Sequence, residues 1–210
     1  MAAFNRKARD KLLRQNDILK AAERVFATKG YYKATIQDIA REAQYAVGTI
    51  YQYFEDKEVL YLDLIERKMV DLISEVKEEV EKTKGAKEKI KVLVHQQLTY
   101  FEENQDFFRI CFSEIVGLGW AIRDKIPKSS VDKFMKYLDY ITELFEDAQE
   151  KLLIRKDLEA KRLAYMLVSM LNAFIIPWLK GTCKKTKITE MTDFILDIFF
   201  KGVEKKCKVN

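Results

Sequence analysis

What this chain lacks sets its first bounds. Its 210 residues include only 7 glycines and 2 prolines. So few loop breakers argue against a strand-and-turn protein and for an all-α fold. The three cysteines, Cys111, Cys183 and Cys207, are odd in number and lack metal-ligand spacing. They read as ordinary core or surface thiols of a reducing cytoplasm. A single histidine, His95, excludes a His-rich metal site and leaves one possible base for a Ser–His–Asp arrangement. It reads as a helix-surface or satisfied interior residue, with a ligand contact as the alternative. Nucleophile elbow, phosphate loop and glycine-rich dinucleotide motif are all missing, so neither enzymatic activity nor a cofactor is expected. No uninterrupted apolar run reaches the ~18 residues that span a membrane. The longest candidate is Ala173–Leu179. The first residues hold no apolar signal core, and the expectation is a cytoplasmic protein without a membrane partner.

The composition is that of a globular chain, 48% hydrophobic and 34% charged, long enough to bury a normal core. Its net charge of +5 is unevenly spread. Residues 1–57 hold 11 Lys and Arg against 7 Asp and Glu, whereas the remainder holds 27 against 26. Arg6, Lys7, Arg9, Lys11 and Arg14 form a basic arm. Such an arm is either a solvated tail or a source of salt-sensitive affinity for phosphates.

The densest information lies in Thr35–Lys57, TIQDIAREAQYAVGTIYQYFEDK. Thr35 precedes an apolar-periodic segment and Asp38 follows three residues later, a capping-box-like start. Ile36, Ile39, Ala40 and Ala43 recur at helical spacing. Gln44, Tyr45 and Ala46 interrupt the period, which resumes with Val47, Ile50, Tyr51 and Phe54. Helices this short are marginal alone and need a third to pack on. Asp17–Lys29 supplies it through Ile18, Ala21, Ala22, Val25 and Phe26, with Gly30 in the usual C-terminal position. Three helices in this order form a helix-turn-helix, about residues 35–54, whose last helix can lie in the major groove of DNA.

These residues carry a resemblance. The Ala-Ala-x-x-x-Phe at 21–26, the Gly-Tyr turn at 30–31, Thr-x-x-x-Ile-Ala at 35–40, Gly-Thr-Ile-Tyr-x-Tyr-Phe at 48–54 and the following Lys-Glu resemble the amino-terminal domain of the TetR family of bacterial transcriptional regulators. The match covers about a quarter of the chain. It implies a homodimeric repressor that reads a near-palindromic operator and leaves it on binding a small hydrophobic or amphipathic effector. The positions carried over as DNA contacts are Thr35, Tyr45, Ala46, Val47, Gly48, Thr49, Tyr51, Gln52, Tyr53 and Lys57. Thr49 and Val47 suit thymine methyls and Gln52 suits adenine. Thr35, Tyr51, Tyr53 and Lys57 suit phosphates, with a core role the alternative for Tyr51. Two departures stand out. Gln44 occupies a place where the family usually has Gly, and Ala46 one where Ser or Thr is frequent. Ala46 cannot cap the recognition helix with an oxygen, and that helix has no Lys or Arg between Val47 and Phe54.

The rest of the chain predicts further helices, about nine in all, and a division into residues 1–56 for DNA binding and 57–210 for effector binding and dimerisation. A long helix from Asp56 to about Lys84, with Leu62, Ile65, Met69, Leu72, Val76 and Val80 as its stripe, is followed by helices over about 86–104, 105–116, 130–154, 158–179 and 188–206. The last two are apolar on more than one face. They belong either to a monomer core or to a four-helix homodimer interface, and dimerisation is what the resemblance implies. Candidate effector-site walls are Tyr100, Phe108, Phe112, Trp120, Tyr137, Tyr140, Met166, Met170, Phe174 and Trp178, an aromatic and methionine-rich set that suits an apolar ligand. A packed core is the alternative for each. A weaker likeness to repressors of fatty-acid metabolism, through the Ala-Lys-Glu-Lys segment near Lys87, implies a fatty acid or acyl-CoA. Two other readings remain: a DNA-binding regulator without an effector, and a helical interaction module that binds no DNA.

Overall fold

A computed structural model describes residues 2–109, 127–181 and 187–203, side chains of 2–8 and 203 excepted. Among these residues there are helices and no strands. In chain order they are α1 (Ala2–Lys33), α2 (Ile36–Ala43), α3 (Val47–Tyr51), α4 (Lys57–Lys82), α5 (Ala86–Glu103), α6 (Lys128–Glu150), α7 (Ala160–Leu179), a 3-10 turn (Ile188–Met191) and α8 (Thr192–Val203). Residues 105–109 are also helical. Phe112, Trp120, the three cysteines and the Arg6 and Lys7 side chains lie outside the described residues.

The chain divides into two compact units. Residues up to Lys68 belong to the first, and 69–108 with the residues from Pro127 onward to the second. The division therefore falls inside α4, twelve residues beyond the 56/57 position read from the sequence.

In the first unit, α1 runs farther than the sequence suggests. The basic segment through Arg9, Lys11 and Arg14 is not an arm ahead of a helix but its first turns, with these three side chains exposed. Gly30 breaks the helix at φ 75°, ψ 165°, a conformation that only glycine adopts without strain, and one further turn follows to Lys33. The core gathers Ile18, Ala22 and Phe26 of α1, Ile39 of α2, Ile50 of α3 and Leu60, Tyr61 and Leu64 of α4, all at most 1% exposed. Phe26, Tyr31 and Tyr61 stack with centroids 4.7–6.0 Å apart. Polar ties from α1 to α4 flank this core: Gln15 to Asp63 at 3.3 Å, Lys68 to Glu23 at 2.6 Å, and Arg67 to Asn16.

In the second unit, α5, α6, α7 and α8 bury apolar stripes against one another. Leu93, Val94 and Leu98 of α5 meet Leu138, Ile141 and Phe145 of α6, Leu163, Leu167 and Leu171 of α7 and Ile195 and Phe199 of α8 in a closed core. Gln149 fixes the α6–α7 connection by donating to the carbonyls of Arg155 and Leu158 at 2.9 and 2.7 Å. Glu102 of α5 accepts from the Thr189 amide and hydroxyl at 3.1 and 2.8 Å, pinning the 3-10 turn ahead of α8. Helix α7 is, by length and composition, apolar enough to cross a membrane, although no uninterrupted apolar run in the sequence is that long. Its buried residues, Leu163, Leu167, Leu171 and Ile175 among them, make it a core helix of this bundle.

Candidate functional site

Helix α2 starts as its sequence requires. The Thr35 hydroxyl accepts from the Asp38 amide at 3.1 Å, and the Asp38 carboxylate accepts from the Thr35 amide at 3.2 Å, a reciprocal capping box. Lys29 lies 2.7 Å from the same carboxylate. The hydrogen bonds from Lys29 and Thr35 hold the Asp38 pKa down at about 2. Arg24 of α1 pairs with Glu42 of α2 at 2.6 Å.

The turn into α3 explains one departure from the family pattern. Gln44 adopts the left-handed conformation, φ 58°, ψ 36°, and its amide reaches back to Ala40 and Arg41. Glycine takes this conformation without cost, while a residue with a Cβ pays about 1–2 kcal/mol. Ala46 is the N-cap of α3 and makes no side-chain cap bond.

α3 is one short turn with two clear sides. Ile50 at 0% and Phe54 at 2% exposure anchor it to the core. Ala46, Gly48, Tyr51 and Gln52 are exposed, while Val47, Thr49 and Tyr53 are half-buried. Tyr51, at 53% exposure, faces outward, so its core alternative falls away. A Cβ at Gly48 would meet nothing within 4 Å; packing inside the protein does not require glycine there. Tyr45 is tied inward instead, its hydroxyl donating to Asp17 of α1 at 3.2 Å. Burial and this acceptor together raise its pKa.

Lys57, at the start of α4, donates to the carbonyls of Tyr31 and Ala34 at 2.7 and 3.0 Å, and its ammonium lies 4.4 Å from the Tyr31 ring centroid. It thus closes the α1–α2 turn from α4. Two of its three N–H groups are used there, and one is left for an outside acceptor. Asp56 caps this helix by accepting from the Val59 amide at 2.8 Å.

The candidate effector residues of the second unit do not form one set. Tyr100 and Trp178 are buried, and Phe108 packs beside Tyr100 and Phe101. Tyr137 is buried and donates to the Gln97 carbonyl oxygen at 3.1 Å; burial raises its pKa, so the hydroxyl stays protonated. Tyr140 is half-buried and donates to Glu81 at 2.8 Å. Met166, at 54% exposure, lies on the outer side of α7, with half-buried Met170 and Phe174 one and two turns further along. The cause is helical phase, since positions 163, 167, 171 and 175 take the inward stripe of α7. Phe174 meets Phe194 of α8 edge to face at 6.0 Å, and Phe194 and Ile198 are 50% and 44% exposed. Met166, Phe174, Phe194 and Ile198 therefore make an apolar outer face on α7 and α8.

Asp17, the partner of Tyr45, and a cleft between α4 and α6 rimmed by lysines were not singled out by sequence. Each depends on residues at least 28 positions apart, which local patterns do not connect.

Residues 18–64 match the family described as bacterial regulatory proteins, tetR family, and residues 65–202 match the YsiA-like protein, C-terminal region. The chain is 23% identical over 190 residues to the fatty acid metabolism regulator protein of Bacillus subtilis (strain 168), covering 90% of this chain and 95% of that one. To the HTH-type transcriptional activator FasR of Mycolicibacterium smegmatis it is 30% identical over 108 residues, 51% of this chain and 48% of that one. Its fold matches the crystal structure of the transcriptional regulator FadR from Bacillus subtilis in complex with stearoyl-CoA, with a TM-score of 0.75 at 22% identity over 90% of this chain and 98% of that chain. With a capped α2, a left-handed turn and an outward α3 at one end and a matched regulatory domain after it, this chain belongs to the TetR family of DNA-binding transcriptional regulators.

Proposed function

We propose that this protein is a homodimer that reads a near-palindromic operator through α3 of each protomer and leaves it on binding a long-chain acyl thioester. The observation that carries the DNA reading is the outer side of α3. Ala46, Gly48, Tyr51 and Gln52 are exposed, and open space lies beside Gly48. A glycine that the protein's own packing does not need fits a surface where another backbone comes close. Thr49, Val47, Gln52 and Tyr53 line the same short turn, and Thr35 and the third N–H of Lys57 stand ready for phosphates. Charge for affinity comes from outside α3, from Arg9, Lys11 and Arg14 of α1 and from exposed Arg41.

Dimerisation through 158–179 and 188–206 is supported by the exposed Met166, Phe194 and Ile198. Apolar side chains contiguous on two neighbouring helices favour a covering surface, and a second copy supplies one symmetrically. Such a dimer presents two copies of α3, as a near-palindrome requires. The acyl-thioester class rests on the relatives, one a regulator of fatty acid metabolism and one a structure with stearoyl-CoA.

The test is fluorescence anisotropy on DNA from upstream of the protein's own coding region. Binding is expected, and palmitoyl-CoA is expected to reverse it. Gly48→Ala should leave stability unchanged or raise it by up to about 1 kcal/mol, because alanine is the better helix former. The same change should weaken DNA binding roughly tenfold. Undiminished DNA affinity in this variant would count against the proposed face of α3.

A further inference from the structure

Helix α3 is five residues long, so its direction is set by how its two ends are held. The far end is held by the core. Ile50 and Phe54 are 0% and 2% exposed, and the Tyr53 and Phe54 amides both donate to the Ile50 carbonyl at 3.0 Å. The near end has no such anchor of its own. Ala46, the N-cap, carries no oxygen to accept from the amides of the first turn. Gln44 holds a left-handed backbone that side chains disfavour. Its amide, and that of Tyr45, which reaches the Ala40 carbonyl at 2.9 Å, close α2 rather than start α3.

The near end is tied from outside the turn instead. The Tyr45 hydroxyl donates to the Asp17 carboxylate of α1 at 3.2 Å, across 28 positions of the chain. Burial and this acceptor raise the pKa of the hydroxyl, which therefore remains a donor. A tyrosine has only two side-chain torsions, so a bond at its tip also restrains the backbone, here one residue before the N-cap. The acceptor stands on firm ground, because Asp17 directly precedes Ile18, which is 0% exposed. Arg14 and Lys20, one turn before and after Asp17 on α1, are exposed. Arg14 also acts on the Tyr45 hydroxyl through its charge, against the direction of Asp17. Charge and acceptor role are separable at Asp17, because asparagine keeps an acceptor oxygen and drops the charge.

We infer, on the reading of α3 as the base-contacting helix, that Asp17 is a positioning residue for DNA readout: through the Tyr45 hydroxyl it sets the angle at which α3 leaves the turn, in place of an N-cap side chain. A binding constellation must be held within roughly 0.5 Å and 10–20° of its productive geometry. Base contacts depend on that angle, whereas sequence-independent affinity comes from charge elsewhere on the head. Loss of the bond therefore lowers the ratio of specific to non-specific affinity, not both affinities together.

The test is fluorescence anisotropy of the full chain on its upstream DNA and on a scrambled duplex of the same length and composition. Tyr45→Phe keeps the ring and loses the hydroxyl. It is expected to bind the upstream DNA roughly tenfold more weakly and the scrambled duplex less than about twofold more weakly, as for one hydrogen bond of ordinary strength acting on readout alone. Asp17→Ala should match it, and the double variant should be no worse than either single one. Asp17→Asn should keep the affinity ratio within about threefold of wild type. Ala46→Ser supplies the missing cap, so it should restore most of the loss in Tyr45→Phe and change wild type little. Melting temperatures should fall by no more than about 4 °C. If Asp17→Ala does not fold, Tyr45→Phe with and without Ala46→Ser carries the test. Equal losses on both duplexes would overturn the positioning role. So would a gain from Ala46→Ser that is the same with and without the Tyr45 hydroxyl, or an Asp17→Asn variant as damaged as Asp17→Ala. If Gly48→Ala leaves upstream-DNA affinity unchanged, α3 does not read DNA and the role of Asp17 falls with it. Weakened binding in Gly48→Ala without any in Tyr45→Phe overturns the role of Asp17 alone.

Discussion

Two exposed surfaces of this protein differ in how they earn a role. The outer side of α3 is small and nearly neutral, with Ala46, Gly48, Tyr51 and Gln52 facing outward from a five-residue helix. The outer side of α7 and α8 is wide and apolar, with Met166, Phe194 and Ile198 all at least 44% exposed. The first surface is specified by position, since each side chain stands at a fixed place on a turn clamped to a core. The second is specified by excess, since apolar area beyond what the bundle can cover asks for a partner. A single substitution should therefore act differently on the two.

The largest effect is expected on the apolar face. Phe194→Glu leaves an exposed side chain exposed in the monomer but would place an unpaired carboxylate in the proposed dimer interface, at a cost of several kcal/mol. Sedimentation velocity should find a folded monomer at micromolar concentration, and operator affinity should fall by two orders of magnitude or more. A dimer that persists would separate the apolar face from dimerisation.

On α3 the damage should be confined to DNA. Thr49→Ala with Tyr51→Ala removes a half-buried hydroxyl and an exposed ring from α3 and should cost about 2 kcal/mol or more of binding, roughly thirtyfold in Kd. The melting temperature should barely change, as is usual for surface changes. A stability loss as large as the binding loss would mean that these side chains hold the head together rather than read DNA.

Lys57 lies between these cases. Lys57→Met deletes the two bonds to the Tyr31 and Ala34 carbonyls and should destabilise the chain by about 1–3 kcal/mol, the range for bonds to a charged group. It should also lower the salt slope of DNA binding by about one. Calorimetry and a salt titration read the two effects separately. An unaltered slope would leave Lys57 as a clamp on the turn and nothing more.

The smallest effect should be a gain. Gln44→Gly relieves the left-handed backbone at φ 58° and should stabilise the chain by about 1 kcal/mol. DNA affinity should stay the same. Chemical denaturation checks this, and a loss of stability would show that the Gln44 side chain contributes more than its backbone costs.

The fold was legible wherever the signal is local. The Thr35–Asp38 box and the Asp56 cap depend on residues three apart, and they appear in the structure as the sequence predicts. Gln44 was legible as a departure from a glycine position, and its left-handed φ supplies the reason. Helical phase was harder to read. Met166, Met170 and Phe174 have the composition of a pocket wall, but α7 is apolar on several sides and its sequence does not say which side faces in.

By itself, then, the amino-acid sequence determined the all-α class, the helix-turn-helix and the neutrality of α3, because caps, turns and 3.6-residue periods are properties of neighbours along the chain. Only the tertiary structure decided that Lys57 closes the α1–α2 turn, that Tyr45 bonds Asp17, that Met166 faces outward and that Lys77, Lys133 and Lys136 share one cleft. Each of these joins residues far apart in sequence, and such pairs come together only when the helices pack.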